Sequence, residues 1–200
     1  MRTIITIGRE FGSGGRELGR RIAEELNIEY YDKEILSEIA KRTELSEQYV
    51  KQVVENTPHN LFPITVGHTL PYFENYSISN VQAVFREQTN VIKDLAEKSN
   101  CVIVGRCADY ILEKEKPFKI FVYSDTESKL LRIKSRMKDG EIYNEKKIKK
   151  EIKRIDKNRS RYYEFYTGKK WGDKLSYDLC VNTSSLNIKE IAKTIAKLFK

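Results

Sequence analysis

Residues 8–19, read as Gly-Arg-Glu-Phe-Gly-Ser-Gly-Gly-Arg-Glu-Leu-Gly, follow the apolar run Ile4-Ile5-Thr6-Ile7 and precede helically spaced apolar positions at Leu18, Ile22, Ala23 and Leu26. A strand, a glycine-rich turn and a helix in that order converge backbone N–H groups and a helix N-terminus on one point, the arrangement that binds phosphate. The loop departs from the phosphate-loop pattern GxxxxGK[ST]. When Gly12-Ser13-Gly14 is aligned on its end, Gly15 stands where lysine belongs, Arg16 where the magnesium-binding hydroxyl belongs, and Arg9 at the first glycine. The alternative is a glycine turn that only reverses the chain.

The chain that carries this loop has 200 residues, enough for one domain with a sizeable core, and its net charge of +8 points to anionic partners. No stretch approaches the roughly 20 apolar residues of a membrane span, and the N-terminus enters a strand without a signal-type apolar region. A cytoplasmic protein that does not contact membrane is expected. Of the three cysteines, Cys101 and Cys180 lie in apolar runs and no CxxC is present, so buried reduced thiols are expected rather than disulfides.

Further along, Ile28 to Tyr31 reads as a short strand, and Asp32 as the cap of a helix with Ile35, Leu36, Ile39 and Ala40 on one face. A second helix starts near Ser46. Residues 56–77 break the periodicity with three prolines and several aromatics; the aromatics are expected to pack the loop down, with a pocket wall or a contact between two copies of the chain, a homodimer, as the alternatives. His59 and His68 lie there without a partner at metal-ligand spacing. Ser79 opens a capping box for the next helix. The run Cys101 to Val104 reads as a strand buried on both faces; Phe118 to Tyr123 and Tyr177 to Asn182 are two more strands, and each is followed by a capped helix. Alternating strands and helices predict an α/β fold, a doubly wound parallel sheet with helices on both faces.

Ligands of such sheets bind beyond the carboxyl ends of the strands. The residues there are Gly8 and its loop, Asp32, Gly105-Arg106 and Ser124-Asp125. Arg106 offers a planar fork for a phosphate, and Asp109, one helical turn on, is read as its ion-pair partner or orienter. Asp32 is read as a cap first and as a ligand for a sugar hydroxyl or amine second. In the basic stretch from Lys129 to Arg161, much of it a solvated helix face, Arg154, Lys157 and Arg161 share one face with Asn158 beside them, while Asp156 and Arg159 fall on a neighbouring one. A cationic clamp of this kind suits phosphoryl transfer.

Five motifs in order, TIGREFGSGGRELGRRIAEEL, YYDKEIL, VIVGRCADYIL, the RIDKNRSRYY block and WGDKLSYDLCVNTSSLNIKEIA, make the chain resemble the cytidylate kinase-like family, a branch of the nucleoside monophosphate kinases. The resemblance implies a three-layer P-loop kinase fold with about five parallel strands. It also implies a helical acceptor-binding insertion within residues 32–100, a basic helical lid over 138–166, and the use of ATP and Mg2+. By the same resemblance Arg106 matches the arginine that binds the acceptor phosphate, and Asp156 and Arg159 match the lid residues around phosphates and base. Arg154 lies near that lid motif. The family's P-loop lysine is missing here, and no aspartate closing a strand offers itself for magnesium.

The leading expectation is a phosphotransferase that moves a phosphoryl group from ATP to a small acceptor, a nucleoside monophosphate such as CMP. In this reading Arg9, Gly12, Ser13, Gly14, Gly15 and Arg16 bind the donor phosphates, with Arg16 or Arg9 supplying the lysine's charge. Arg16, Arg106, Arg154 and Arg159 are the candidate catalytic side chains, and Asp32, Arg106, Asp156 and Arg161 the candidate acceptor ligands. The alternative is a nucleotide- or anion-binding sensor that keeps the fold without transfer. Nucleic-acid binding is not expected, because the basic run lacks any RRM, zinc or helix-turn-helix signature.

Overall fold

The structure, a computed structural model, describes residues 2–55, 74–137 and 143–200. In chain order the elements are β1 (Ile4–Arg9), α1 (Gly15–Leu26), β2 (Glu29–Tyr31), α2 (Glu34–Thr43), α3 (Glu47–Glu55), α4 (Glu74–Lys98) and β3 (Cys101–Val104). They continue with α5 (Ala108–Ile111), β4 (Phe118–Tyr123), α6 (Thr126–Lys134), α7 (Glu145–Thr167), β5 (Leu179–Asn182) and α8 (Ile188–Ala196).

The five strands form one sheet in the order β2-β3-β1-β4-β5, with every pairing parallel. All carboxyl ends therefore share one edge. Because β1 lies between β3 and β4, the glycine loop sits beside the Gly105 turn. The period-2 alternation of side chains divides the core into two. Ile5, Ile7, Val102, Val104, Ile120 and Val122 pack under α1 and α8. Ile4, Cys101 and Ile103 pack on the other face with α2, α3, α4 and the tyrosines of α7. This is the three-layer α/β arrangement of the P-loop kinases.

Several local expectations hold. The helices after the last two strands are capped: Asp125 caps α6 by accepting from the Ser128 N–H at 2.7 Å, and Asn187 caps α8. Cys101 and Cys107 are buried and Cys180 half-buried, all as free thiols. Burial pushes the Cys101 thiol up to about 11 and the Cys107 thiol higher still, so both stay protonated.

Others do not hold. Asp32 does not cap α2: the cap position is Lys33, without a side-chain bond, and the Asp32 carboxylate is turned to arginines instead. Helix α4 begins at Glu74, five residues before the capping box at Ser79, because apolar spacing in its first turns is too weak to mark it. The remainder of the 56–77 segment, with His59 and His68, lies outside the described residues. Among those described, no helix is long and apolar enough to cross a membrane.

Gly14 fixes where the loop meets the helix layer. Its φ is 83°, and a Cβ there would overlap Ile188 Cδ1 of α8. Gly14→Ala is expected to cost about 2 kcal/mol, from the left-handed backbone and the overpacking together, and to lower Tm by several degrees. A melt within about 1 °C of the parent would show that α8 yields freely.

Candidate functional site

The carboxyl edge of the sheet opens into a cavity of about 790 Å³ lined by β1, the Gly105 turn, α2, α3 and α7. Five arginines, Arg9, Arg16, Arg106, Arg154 and Arg159, and two lysines, Lys33 and Lys51, face three carboxylates, Glu47, Asp109 and Glu151. The excess of cations is the main electrostatic fact of the site.

Arg9 is its centre. A Cβ on Gly15 would lie 2.5 Å from Arg9 Cβ, and one on Gly105 would overlap Arg9 Nη1. The arginine therefore runs from the end of β1 across the place where a lysine at 15 would start, and on over the Gly105 turn. Two glycines make that path possible. Its guanidinium lies 3.9 Å from Asp32 Oδ1 with the side chain only 12% exposed. Burial is the largest influence pulling its pKa well below the usual value, followed by the like charges of Arg159 and Arg106; Asp32 opposes them. A guanidinium does not give up its proton in a protein. The unfavourable charge density therefore remains in the site, and a bound anion would relieve it.

Asp32, buried at the end of β2, also receives Arg16 Nε in an ion pair. The Arg16 side chain is 52% exposed and lies at the cavity rim on the first turn of α1. That helix has Gly14 at its cap position, with no side-chain cap bond among the described residues, and a helix N-terminus of this kind can accept an anion. Ser13 is buried; its hydroxyl donates to the Glu10 carbonyl at 2.8 Å, and its own carbonyl accepts from Thr183 Oγ1 at 2.6 Å. Gly12 and Gly14 both have positive φ, so the loop is held by the turn its glycines permit.

The second strand end is strained. Gly105, Arg106 and Cys107 have φ of 76°, 60° and 55° in succession. Two consecutive non-glycine residues in the left-handed region cost about 1 kcal/mol each or more. The turn is pinned by Gly105 N–H on Ile7 O at 2.9 Å, Ala108 N–H on Gly105 O at 3.1 Å, and Gln88 Nε2 of α4 on Arg106 O at 3.0 Å. Asp109 does not orient Arg106. Its carboxylate accepts from Tyr163 Oη at 2.6 Å, and burial holds its pKa above the usual carboxylate range.

Helix α7 closes the cavity from the other side. Asp156 Oδ1 accepts from the Phe11 N–H at 2.6 Å, Arg159 Nη1 donates to the Arg9 carbonyl at 3.2 Å, and the Arg159 guanidinium sits 5.8 Å from the Phe11 ring centroid. Of the predicted clamp, Asp156 and Arg159 thus reach the loop. Arg154 lines the cavity edge and is bound to Glu151 at 2.6 and 2.8 Å. Arg161 lies outside the cavity lining: the lining positions of α7 centre on Ile155 and Tyr162, and Arg161 and Lys157 are exposed.

Three participants were not legible as site residues. Lys129 of α6, part of the run read as a solvated face, is buried, with Nζ 2.8 Å from Glu10 Oε2 and 3.5 Å from Asp156 Oδ2. Gln88, on α4, is fully buried. Its one signal is a polar side chain on the apolar stripe of Val81, Val84 and Val91. Trp171, in the loop after α7, lines the cavity and packs edge-on against Phe121.

A parallel sheet with a glycine loop, an arginine-lined cavity at its carboxyl edge and a basic helix across it defines a P-loop kinase-like protein. The chain belongs to the cytidylate kinase-like family, whose model matches residues 4–185. It is similar to the crystal structure of an uncharacterized protein from Eubacterium ventriosum, with 31% identity, 98% of each chain covered and a TM-score of 0.71. The fold is shared with shikimate kinase from Bacteroides thetaiotaomicron, at 14% identity, 98% of each chain and a TM-score of 0.56. It is shared too with shikimate kinase from Acinetobacter baumannii in complex with shikimate, at 16% identity, 100% of this chain and 93% of the other, and a TM-score of 0.51. No curated protein matches the sequence. Family membership supports nucleotide-dependent phosphoryl transfer as the class of activity.

Proposed function

We propose that the protein transfers a phosphoryl group from ATP to a nucleoside monophosphate such as CMP. The observation that carries this reading is the placement of Arg9, Arg106 and Arg159 around one cavity, beside a helix N-terminus left without a side-chain cap. Phosphoryl transfer asks little covalent chemistry of a protein; it asks for positioning and for cations around charge that spreads over the moving group.

In this reading the N–H groups of the loop from Gly12 to Arg16 hold the donor phosphates, and Arg9 supplies the charge of the missing lysine, from the strand rather than the helix. Arg106 holds the acceptor phosphate. Helix α7 acts as the lid, with Arg159 stabilising the transferring group and Arg154 at the rim; α2, α3 and α4 form the acceptor-binding insertion, and Asp32, just before α2, fixes Arg9 and Arg16 between that insertion and the donor phosphates. Asp156 must release the Phe11 N–H before that donor can serve a ligand.

Magnesium is a different matter. Among the described residues no three carboxylate, histidine or cysteine side chains form a group able to hold a metal ion. The nearest loop carboxylate, Glu10, is engaged by Lys129. The residues present fit a triphosphate and not a metal cage, so no side chain is assigned to the ion, which in nucleotide sites is carried largely by phosphates and water.

The composition of the loop favours a second reading, a sensor that binds nucleotide without transfer, since Gly15 and Arg16 stand where the pattern has its lysine and hydroxyl. A thermal-shift screen of nucleoside mono- and triphosphates with and without magnesium, followed by a product assay on the ligands that raise Tm, separates the two. Transfer to a nucleoside monophosphate is expected. Stabilisation without product from any of them would leave the sensor.

A further inference from the structure

Gln88 ties three parts of the site together. Its Nε2 donates to the Arg106 carbonyl at 3.0 Å, and its Oε1 accepts from Tyr162 Oη of α7 at 3.1 Å. The orientation of the amide is not arbitrary: a carbonyl oxygen can only accept, so Nε2 must face Arg106 and Oε1 is left for the tyrosine. Both partners matter to the cavity, since Arg106 and Tyr162 line it. Tyr162 is buried, which keeps its hydroxyl protonated and available as a donor.

A fully buried glutamine on an apolar helix face needs its hydrogen bonds, and this one uses them on the carbonyl of a residue held at φ 60°. The neighbouring N–H groups are already committed to the turn through Gly105 and Ala108. The side chain of Gln88 thus supports the Arg106 peptide from outside the turn, and it reaches that peptide from the helix that precedes β3.

We propose that Gln88 is a positioning residue for anion binding: it holds Arg106 in its left-handed conformation and links that conformation, through Tyr162, to the helix across the cavity. This rests on the reading of Arg106 as an anion ligand, but not on turnover or on the identity of the acceptor. Loss of the amide lets the Arg106 peptide relax, and the guanidinium no longer meets the anion in register.

The test uses the full 200-residue chain and inorganic pyrophosphate as probe, with binding followed by the fluorescence of the single tryptophan, Trp171, on the cavity wall. Gln88→Met is expected to weaken pyrophosphate binding about tenfold, and Tyr162→Phe a few-fold. Arg106→Ala is expected to weaken it more than either. The decisive measurement is the double variant: if Gln88 acts through Arg106, adding Gln88→Met to Arg106→Ala produces little further loss. Additive losses would overturn the proposal, because a merely structural glutamine weakens binding whether or not Arg106 is present. Should Gln88→Met fail to fold, Tyr162→Phe, which removes only the donor to Gln88 Oε1, is combined with Arg106→Ala and the same cycle is read with it. A protein that shows the coupling but makes no product loses the functional reading above and keeps this one; a protein that makes product with additive losses does the reverse.

Discussion

Arg9→Ala is expected to reduce phosphoryl transfer to a nucleoside monophosphate by on the order of 10³-fold while leaving the fold intact. The side chain occupies the space above Gly15, reaches over Gly105, and is more buried than Arg16, the other arginine that meets Asp32. Removing it deletes a buried charge of the site. Arg16, half-exposed at the rim, is expected to matter less, with Arg16→Ala staying within about tenfold, since partial solvation weakens its field. Gly105→Ala should lose at least as much activity, because the added methyl takes the volume of the guanidinium, and its Tm should fall as well, because a φ of 76° strains an alanine. Steady-state kinetics of the three variants decide the matter. A loss on the order of 10³-fold in Arg16→Ala alongside a mild Arg9→Ala would place the substitute charge on the helix.

The second large effect concerns stability. Lys129→Met is expected to lower unfolding free energy by about 3 kcal/mol and Tm by about 6–12 °C. The ammonium is buried between Glu10 of the loop and Asp156 of α7, whose side chains are 28% and 17% exposed. Without the lysine two carboxylates are left together in a poorly solvated place, and burial already pushes the Asp156 carboxyl above its usual range. The loss is therefore that of uncompensated charge rather than of the pair's attraction. Neutralising all three, with Glu10→Gln and Asp156→Asn added, should return most of the Tm, since the amide oxygen introduced by Asp156→Asn can still accept from the Phe11 N–H. Failure of the triple variant to recover would mean that Lys129 acts through its packed stem, which lies 3.2 Å from a Cβ built on Gly12.

These two cases mark what the sequence could and could not disclose. The sheet was legible because parallel strands buried on both faces read as continuous apolar runs, as Cys101 to Val104 does, and because a glycine turn between strand and helix has few other uses. Arg106 was legible as a strand-end residue. The path of Arg9 was not, since no spacing rule says that a side chain leaving the end of β1 crosses Gly15 and then Gly105 of a different strand end. Lys129 was hidden among the other basic residues of α6 and α7, where a buried cation and a solvated one look alike. Asp32 was misread as a cap because a carboxylate before a helix has the same one-letter context whether it binds N–H groups or arginines. The face count along α7 fixed its period but not which side of it meets the cavity, so it did not tell that Arg161 lies outside the lining.

The route taken by Arg9 has a chemical consequence. Nucleotide analogues that carry an acyl phosphate label phosphate-binding loops by acylating a nearby amine, and a guanidinium does not react in that way. Here Gly15 offers no nucleophile, and the buried amine beside the loop, Lys129, is clasped by two carboxylates. A protein of this kind would pass through such a labelling experiment unmarked at its loop, even while it held the nucleotide.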